Sequence, residues 1–85
     1  MNFEAVWERI LQCEGELFHT VRSLPFTYRI IGGAVVPDRT GFPVSRNDFL
    51  KAYNMGELKN PGQINRIVRG PSYVYAILTD PRIRD

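Results

Sequence analysis

Phe3, Val6, Trp7, Ile10 and Leu11 recur at the three- and four-residue spacing that lays one apolar stripe along a helix. Asn2 is placed to cap that helix, Glu4 suits its first turn, and Gly15 can end it in a left-handed conformation. The pattern predicts a helix over residues 3–14. From Leu17 the period changes. The runs ELFHTVR, FTYRII and AVVP are rich in β-branched and aromatic residues, and Ser23-Leu24-Pro25 and Gly32-Gly33 separate them. Both glycines can take the positive φ of a primed hairpin turn, so a three-stranded antiparallel β-meander is expected. Along its middle strand Phe26, Tyr28 and Ile30 share the side assigned to the core, and Thr27, Arg29 and Ile31 share the other.

PDRTGFP reads as loop. Ser45 and Asp48 then make a shortened capping box and Val44 can staple onto Phe49, which starts a second helix near Arg46 that runs to about Met55, before Gly56. Asn60-Pro61 is an N-cap followed by a first-turn proline, and Gln63 completes another box, so a short third helix is expected to about Arg69. The last element, YVYAILT, has the composition of a buried strand, yet Pro71 near its start and Ala76-Ile77-Leu78 favour helix. The expected fold is α+β: an N-terminal helix, a three-stranded antiparallel β-meander, then two or three short helices, in a single domain over residues 1–85.

Length and charge narrow this picture. An 85-residue chain has room for one core and buries only roughly two-thirds of its unfolded surface, which leaves little apolar area for an enclosed ligand cavity. At 44% hydrophobic and 24% charged it is an ordinary globular composition that needs no partner to fold. One cysteine excludes an internal disulfide, and no Cys/His cluster is spaced for zinc. Neither a signal peptide nor the ~20 apolar residues of a membrane span is present, so a cytoplasmic location without a membrane partner is expected. Net charge is +2 but unevenly spread: residues 1–16 carry −3 and residues 17–85 carry +5. Nine of the eleven basic residues are arginine, suited to bidentate contact with phosphate, carboxylate or guanine, and equally to protein interfaces.

LPFTYRI, the helix start SRNDFLKAY and the ending GPSYVYAILTDPRI together resemble a family of short bacterial proteins with which no activity is associated. The resemblance covers most of the chain. It implies a bacterial or phage source and assigns no site residue or mechanism.

Candidate chemistry centres on PGQINRIVRG. On a helix, Ile64, Ile67 and Val68 would share one arc and Gln63, Asn65, Arg66 and Arg69 the other, a face of amides and guanidinium groups that can read base edges or bind phosphates. With the preceding helix it would form a helix-turn-helix-like unit, and Arg29 on the hairpin, with Arg22 next to it in sequence order and Arg39 in the following loop, would add a winged basic face. These residues predict a non-catalytic module that binds DNA or RNA. A solvated polar face, and an ion pair of Arg29 with Glu14 or Glu16, are the plainer alternatives. A protein-interaction or homo-oligomerisation domain using Tyr73 and Tyr75 is the other functional class. Pro37-Asp38 with Glu57-Leu58-Lys59 matches the PD-(D/E)xK pattern of metal-dependent nucleases, but the second half falls in a loop, where the chemistry needs adjacent strands. Cys13 reads as a packing residue and His19, alternating with Leu17 and Val21, as a partly buried strand histidine. No cofactor is expected.

Overall fold

A computed structural model describes residues 2–84. Helix α1 (Phe3–Gln12) forms where the apolar stripe predicts it: Phe3, Val6, Trp7 and Ile10 are buried, and the Asn2 side chain accepts from the Ala5 N–H at 3.0 Å. The chain turns back at Gly15, whose N–H donates to the Tyr28 carbonyl at 3.0 Å. Four short strands follow, β1 (Phe18–His19), β2 (Pro25–Phe26), β3 (Tyr28–Ile31) and β4 (Ala34–Pro37), and then α2 (Arg46–Tyr53), a 3₁₀ turn (Pro61–Ile64) and α3 (Pro71–Thr79).

The expected three-stranded meander is instead two separate two-stranded antiparallel sheets, β1 with β2 and β3 with β4. Phe18 pairs with Phe26 in the first, and Tyr28 with Pro37 in the second. The middle run breaks at Thr27, which leaves the ladders because Asp38 takes over both its backbone groups. The Thr27 N–H donates to Asp38 Oδ1 at 3.1 Å and the Asp38 N–H donates to the Thr27 carbonyl at 3.0 Å. Pro25, with no N–H, further limits β2. The hairpin turn itself is as expected, with Gly32 and Gly33 at φ 59° and 77°. The side parity of β2 and β3 also holds: Phe26 and Tyr28 are buried and Arg29 and Ile31 exposed. In β1 it is reversed. Phe18 and Thr20 face the core, so His19 is exposed together with Leu17 and Val21.

Helix α2 starts at Ser45, whose Oγ accepts from the Asp48 N–H at 3.1 Å. The reciprocal half of that capping box is missing, since the Asp48 carboxylate accepts from the Arg69 N–H at 3.1 Å. That capture, and the left-handed Gly70 (φ 64°) that precedes α3, replace the expected helix to Arg69 with one 3₁₀ turn and an irregular return. Ile64 and Val68 still face the core, while Ile67 is partly exposed. The last element is helical, and Val74 and Ile77 are fully buried in it.

Two aromatic clusters fill the core. Phe3, Trp7, Phe49 and Tyr53 join α1 to α2 with ring centroids 5.5–6.1 Å apart. Phe18, Phe26, Tyr28 and Tyr73 join both sheets to α3, at 4.9–5.9 Å. The buried Tyr28 hydroxyl donates to the Ile10 carbonyl at 2.6 Å, and burial pushes its ionisation well above the ordinary value. Arg82 closes the chain end onto β1. Its guanidinium donates to both Asp80 oxygens at 2.9 Å, to Glu16 at 3.1 Å and to the Leu17 carbonyl at 2.9 Å, and lies 4.0 Å over the Phe18 ring. Hydrogen bonds from Arg82 hold the Asp80 carboxyl below the usual aspartate range.

Two outcomes test this description. Nothing lies within 4 Å of a β-carbon added at Gly33, so Gly33→Val costs stability chiefly through positive φ. It should destabilise the domain by ~1 kcal/mol or more, a drop in Tm of roughly 4–8 °C. Arg82→Ala should cost about 1 kcal/mol at pH 7, because the network is partly exposed. Since Asp80 titrates below its unfolded value, the clasp contributes fully above the ordinary aspartate pKa and is lost as pH falls through the folded-state value. Urea denaturation at pH 7 and at pH 3 should therefore show a gap between wild type and variant that narrows in acid.

Candidate functional site

Between β1 and β2 the chain reverses through Thr20–Leu24. The Ser23 N–H donates to the Thr20 carbonyl at 2.8 Å, the Thr20 N–H to the Leu24 carbonyl at 3.0 Å, and the Leu24 N–H to Thr20 Oγ1 at 3.2 Å. This tight closure holds Ser23 at φ 64°, a left-handed conformation that costs a residue with a side chain about 1 kcal/mol. It also holds Val21 and Leu24 at the surface, 60% and 43% exposed, with Arg22 between them. Pro61, Ser72 and Tyr73 stand opposite, and the groove between the two sides has a volume of about 540 Å³. Tyr73 is half-buried and meets Phe26 edge to face, at 83°.

The cations without a carboxylate partner among the described residues are concentrated in segments around this groove. Arg22 lines it. Arg39 donates to the carbonyl of Pro25, next to Leu24, at 3.4 Å. Arg69 lies 4.6 Å over the Phe42 ring, and a side chain at Gly70, just before α3, would meet Phe42 and Tyr73 at 3.5 Å. Lys59 and Arg66 are exposed on the segments either side of the 3₁₀ turn that begins at Pro61. Elsewhere Arg29 is paired with Glu14 at 3.8 Å, Arg46 with Glu4, Lys51 with Asp48 at 4.0 Å, and Arg82 with Glu16 and Asp80, whereas Arg84, exposed beside a separate cleft, has no carboxylate partner among the described residues. Three of the four carboxylates of residues 1–16, Glu4, Glu14 and Glu16, are thus neutralised within the fold.

The structure brings together Arg22, predicted for one kind of partner, and Tyr73, predicted for another. It separates Arg29, which is tied to the end of α1 through Glu14. Gln63 serves the loop before it: Oε1 accepts from the Lys59 N–H and, at 3.1 Å, from the Asn60 N–H, and Nε2 donates to the Glu57 carbonyl at 3.5 Å. Tyr75 is committed in the same way, its hydroxyl donating to the Lys59 carbonyl at 3.1 Å. Asn65 and Arg66 are exposed just past the 3₁₀ turn. Val21, Leu24, Pro61 and Ser72 were not legible as site residues. The one signal was the pair of aliphatic residues Val21 and Leu24 set among polar ones just before the turn proline Pro25.

Other chemistry is less well assembled. Asp38 is engaged with Thr27, whereas Glu57 lies by a second cleft of about 450 Å³ beside Tyr53, Leu58, Leu78 and Arg84. No group of three or more His, Cys, Asp or Glu among the described residues could hold a metal ion. Cys13 is buried and its thiol is pushed up, first by desolvation and then by Glu16, which keeps it protonated at neutral pH and poorly nucleophilic. Among the described residues no helix is long and apolar enough to cross a membrane. Compared with known protein families, with curated sequences and with solved structures, the chain matches none.

Proposed function

We propose that this domain is a non-catalytic module that binds nucleic acid through the basic rim of the groove between Thr20–Leu24 and Pro61–Tyr73. The observation behind this reading is the charge distribution: Arg22 lines the groove, and Arg39, Lys59, Arg66 and Arg69, which also lack carboxylate partners among the described residues, lie on or against segments adjoining its lining residues in the chain. Four of these five are arginines, whose planar fork matches phosphate oxygens. The groups act by neutralising phosphates, which attracts a polyanion without selecting its sequence. A helix-turn-helix mode is not part of the reading, because the segment after α2 offers a single 3₁₀ turn.

A protein partner, including a second copy of the chain, is the second reading. Val21 and Leu24 favour it, as exposed aliphatic side chains beside an arginine and a tyrosine, the residue types enriched at protein interfaces. It predicts a mass that rises with concentration in sedimentation, survives salt, and reverts when Val21 and Leu24 are changed to serine.

For the first reading, fluorescence anisotropy with labelled oligonucleotides should give an affinity that falls steeply with salt, with a log-log slope of about −0.9 per phosphate contacted on duplex and −0.7 on single strands. Replacing Arg22 and Arg66 by alanine should flatten that slope by about 1.5 and leave Tm nearly unchanged, since exposed arginines add little to stability. No binding at ~50 mM salt and micromolar protein would exclude the reading, because non-specific binders reach about 10⁻⁴–10⁻⁶ M even at physiological salt.

A further inference from the structure

Binding to phosphates alone needs only a charged surface, yet Arg22 lines a groove with largely apolar walls. Val21 and Leu24 form one side, Pro61 and the ring of Tyr73 the other, and Ser72 supplies a hydroxyl. The groove's volume, about 540 Å³, falls in the range of about 300–1,000 Å³ usual for small-molecule sites. A duplex keeps its bases stacked inside and has no apolar face to place there. Duplex readers insert a helix or a two-stranded ribbon into the major groove, whereas here the segment after α2 is a 3₁₀ turn and the ribbon arginine, Arg29, is paired with Glu14. An unpaired nucleotide presents a phosphate and a flat apolar base together, and both groups have counterparts here.

We infer that the groove seats one unpaired base of a single-stranded nucleic acid, against Tyr73 and between the Val21–Leu24 turn and Pro61, with a phosphate at Arg22. The inference rests on the nucleic-acid reading above. Tyr73 is suited to the task because it lines the groove, is only half-buried, and meets Phe26 edge to face, a contact that occupies at most one of its two ring faces. The Ser23 turn, strained at φ 64°, fixes Val21 and Leu24 as a preformed wall that needs no ordering when the base enters. Phosphates next to the seated base would fall to cations of the adjoining segments, Arg69 just before α3 and Arg39 against the Pro25 carbonyl.

The test compares short labelled oligo-dT, oligo-U and a blunt-ended duplex at matched salt, on the full chain. Single strands should bind at least about 10-fold tighter than duplex, a margin within what base–aromatic stacking supplies. Val21→Ser with Leu24→Ser, both exposed and so harmless to folding, should reduce single-strand affinity about 5-fold or more and leave duplex affinity and salt slope alone. Tyr73→Leu should cost between about 5- and 150-fold, the equivalent of losing one stacked base, and Tyr73→Phe should retain binding. Titration with oligo-dT should also shift the Val21 and Leu24 methyl resonances through the ring current of the bound base. A preference between oligo-U and oligo-dT identifies which strand the groove takes, and either preference supports the inference. Equal affinity for duplex and single strands, with no effect of the groove variants, would overturn it and leave phosphate binding at the rim intact. If no oligonucleotide binds, both readings fall together. Displacement of oligo-dT by poly-glutamate at equal charge concentration would mean that the occupant is an acidic peptide and would also overturn the inference.

Discussion

Strands of two and four residues leave many of their backbone N–H and C=O groups outside any ladder, and an unpartnered polar group away from water costs as much as a lost hydrogen bond. In this chain side chains make up the deficit. Asp38 holds Thr27, Glu14 accepts from the Ile30 N–H at 2.8 Å, Tyr28 donates to Ile10, Asp48 receives Arg69, and Gln63 and Tyr75 secure the loop around Lys59. Each joins segments that are distant in sequence or irregular in shape. No buried side-chain nitrogen or oxygen among the described residues is left without a hydrogen-bond partner. The fold therefore depends on polar side chains committed to backbone, around a core that is aromatic at both ends.

That commitment sorts the polar residues into those the fold uses and those it does not. Glu4, Glu14 and Glu16 are each paired, so the acidic start of the chain is absorbed within the fold and the charge asymmetry of the sequence becomes local. Arg82, which no sequence pattern singled out, does the most of all, tying Asp80, Glu16 and the Leu17 carbonyl and covering the Phe18 ring. By fixing the entry to β1 it also fixes where the Thr20–Leu24 turn emerges. Arg22 in the groove and the cations of the adjoining segments belong to the remainder, arginines and a lysine the fold does not use for ion pairing.

How much was legible in the sequence follows from the range of each interaction. Helix α1, the start of α2, the Gly32-Gly33 turn and the helical last element rest on spacing, caps and backbone conformation within a few residues, and all are present. The split sheet and the shortened third helix were not legible. Asp38 lies 11 residues from Thr27, and Asp48 21 residues from Arg69. Local propensity carries no record of such partners. The candidate site shows the same division. Arg22 and Tyr73 could be named from residue type and Gln63 from its capping box with Asn60, which is present, but Tyr75 could not be recognised as structural, because its partner is a loop carbonyl that only the folded chain defines. His19 was misread through one residue of parity, which in a strand turns every side chain over.

The carboxylate of Asp48 belongs to α2 by sequence and to the approach to α3 by hydrogen bonding. Its N–H is held by Ser45 and its oxygen holds Arg69, immediately before the left-handed Gly70 that launches α3. Unravelling the first turn of α2 therefore frees the Arg69 amide, and displacing the 65–69 segment strips a partner from the helix start. Two elements that look independent along the chain thereby share one opening event, and this part of the molecule is built to exchange its amide protons as a single cooperative unit.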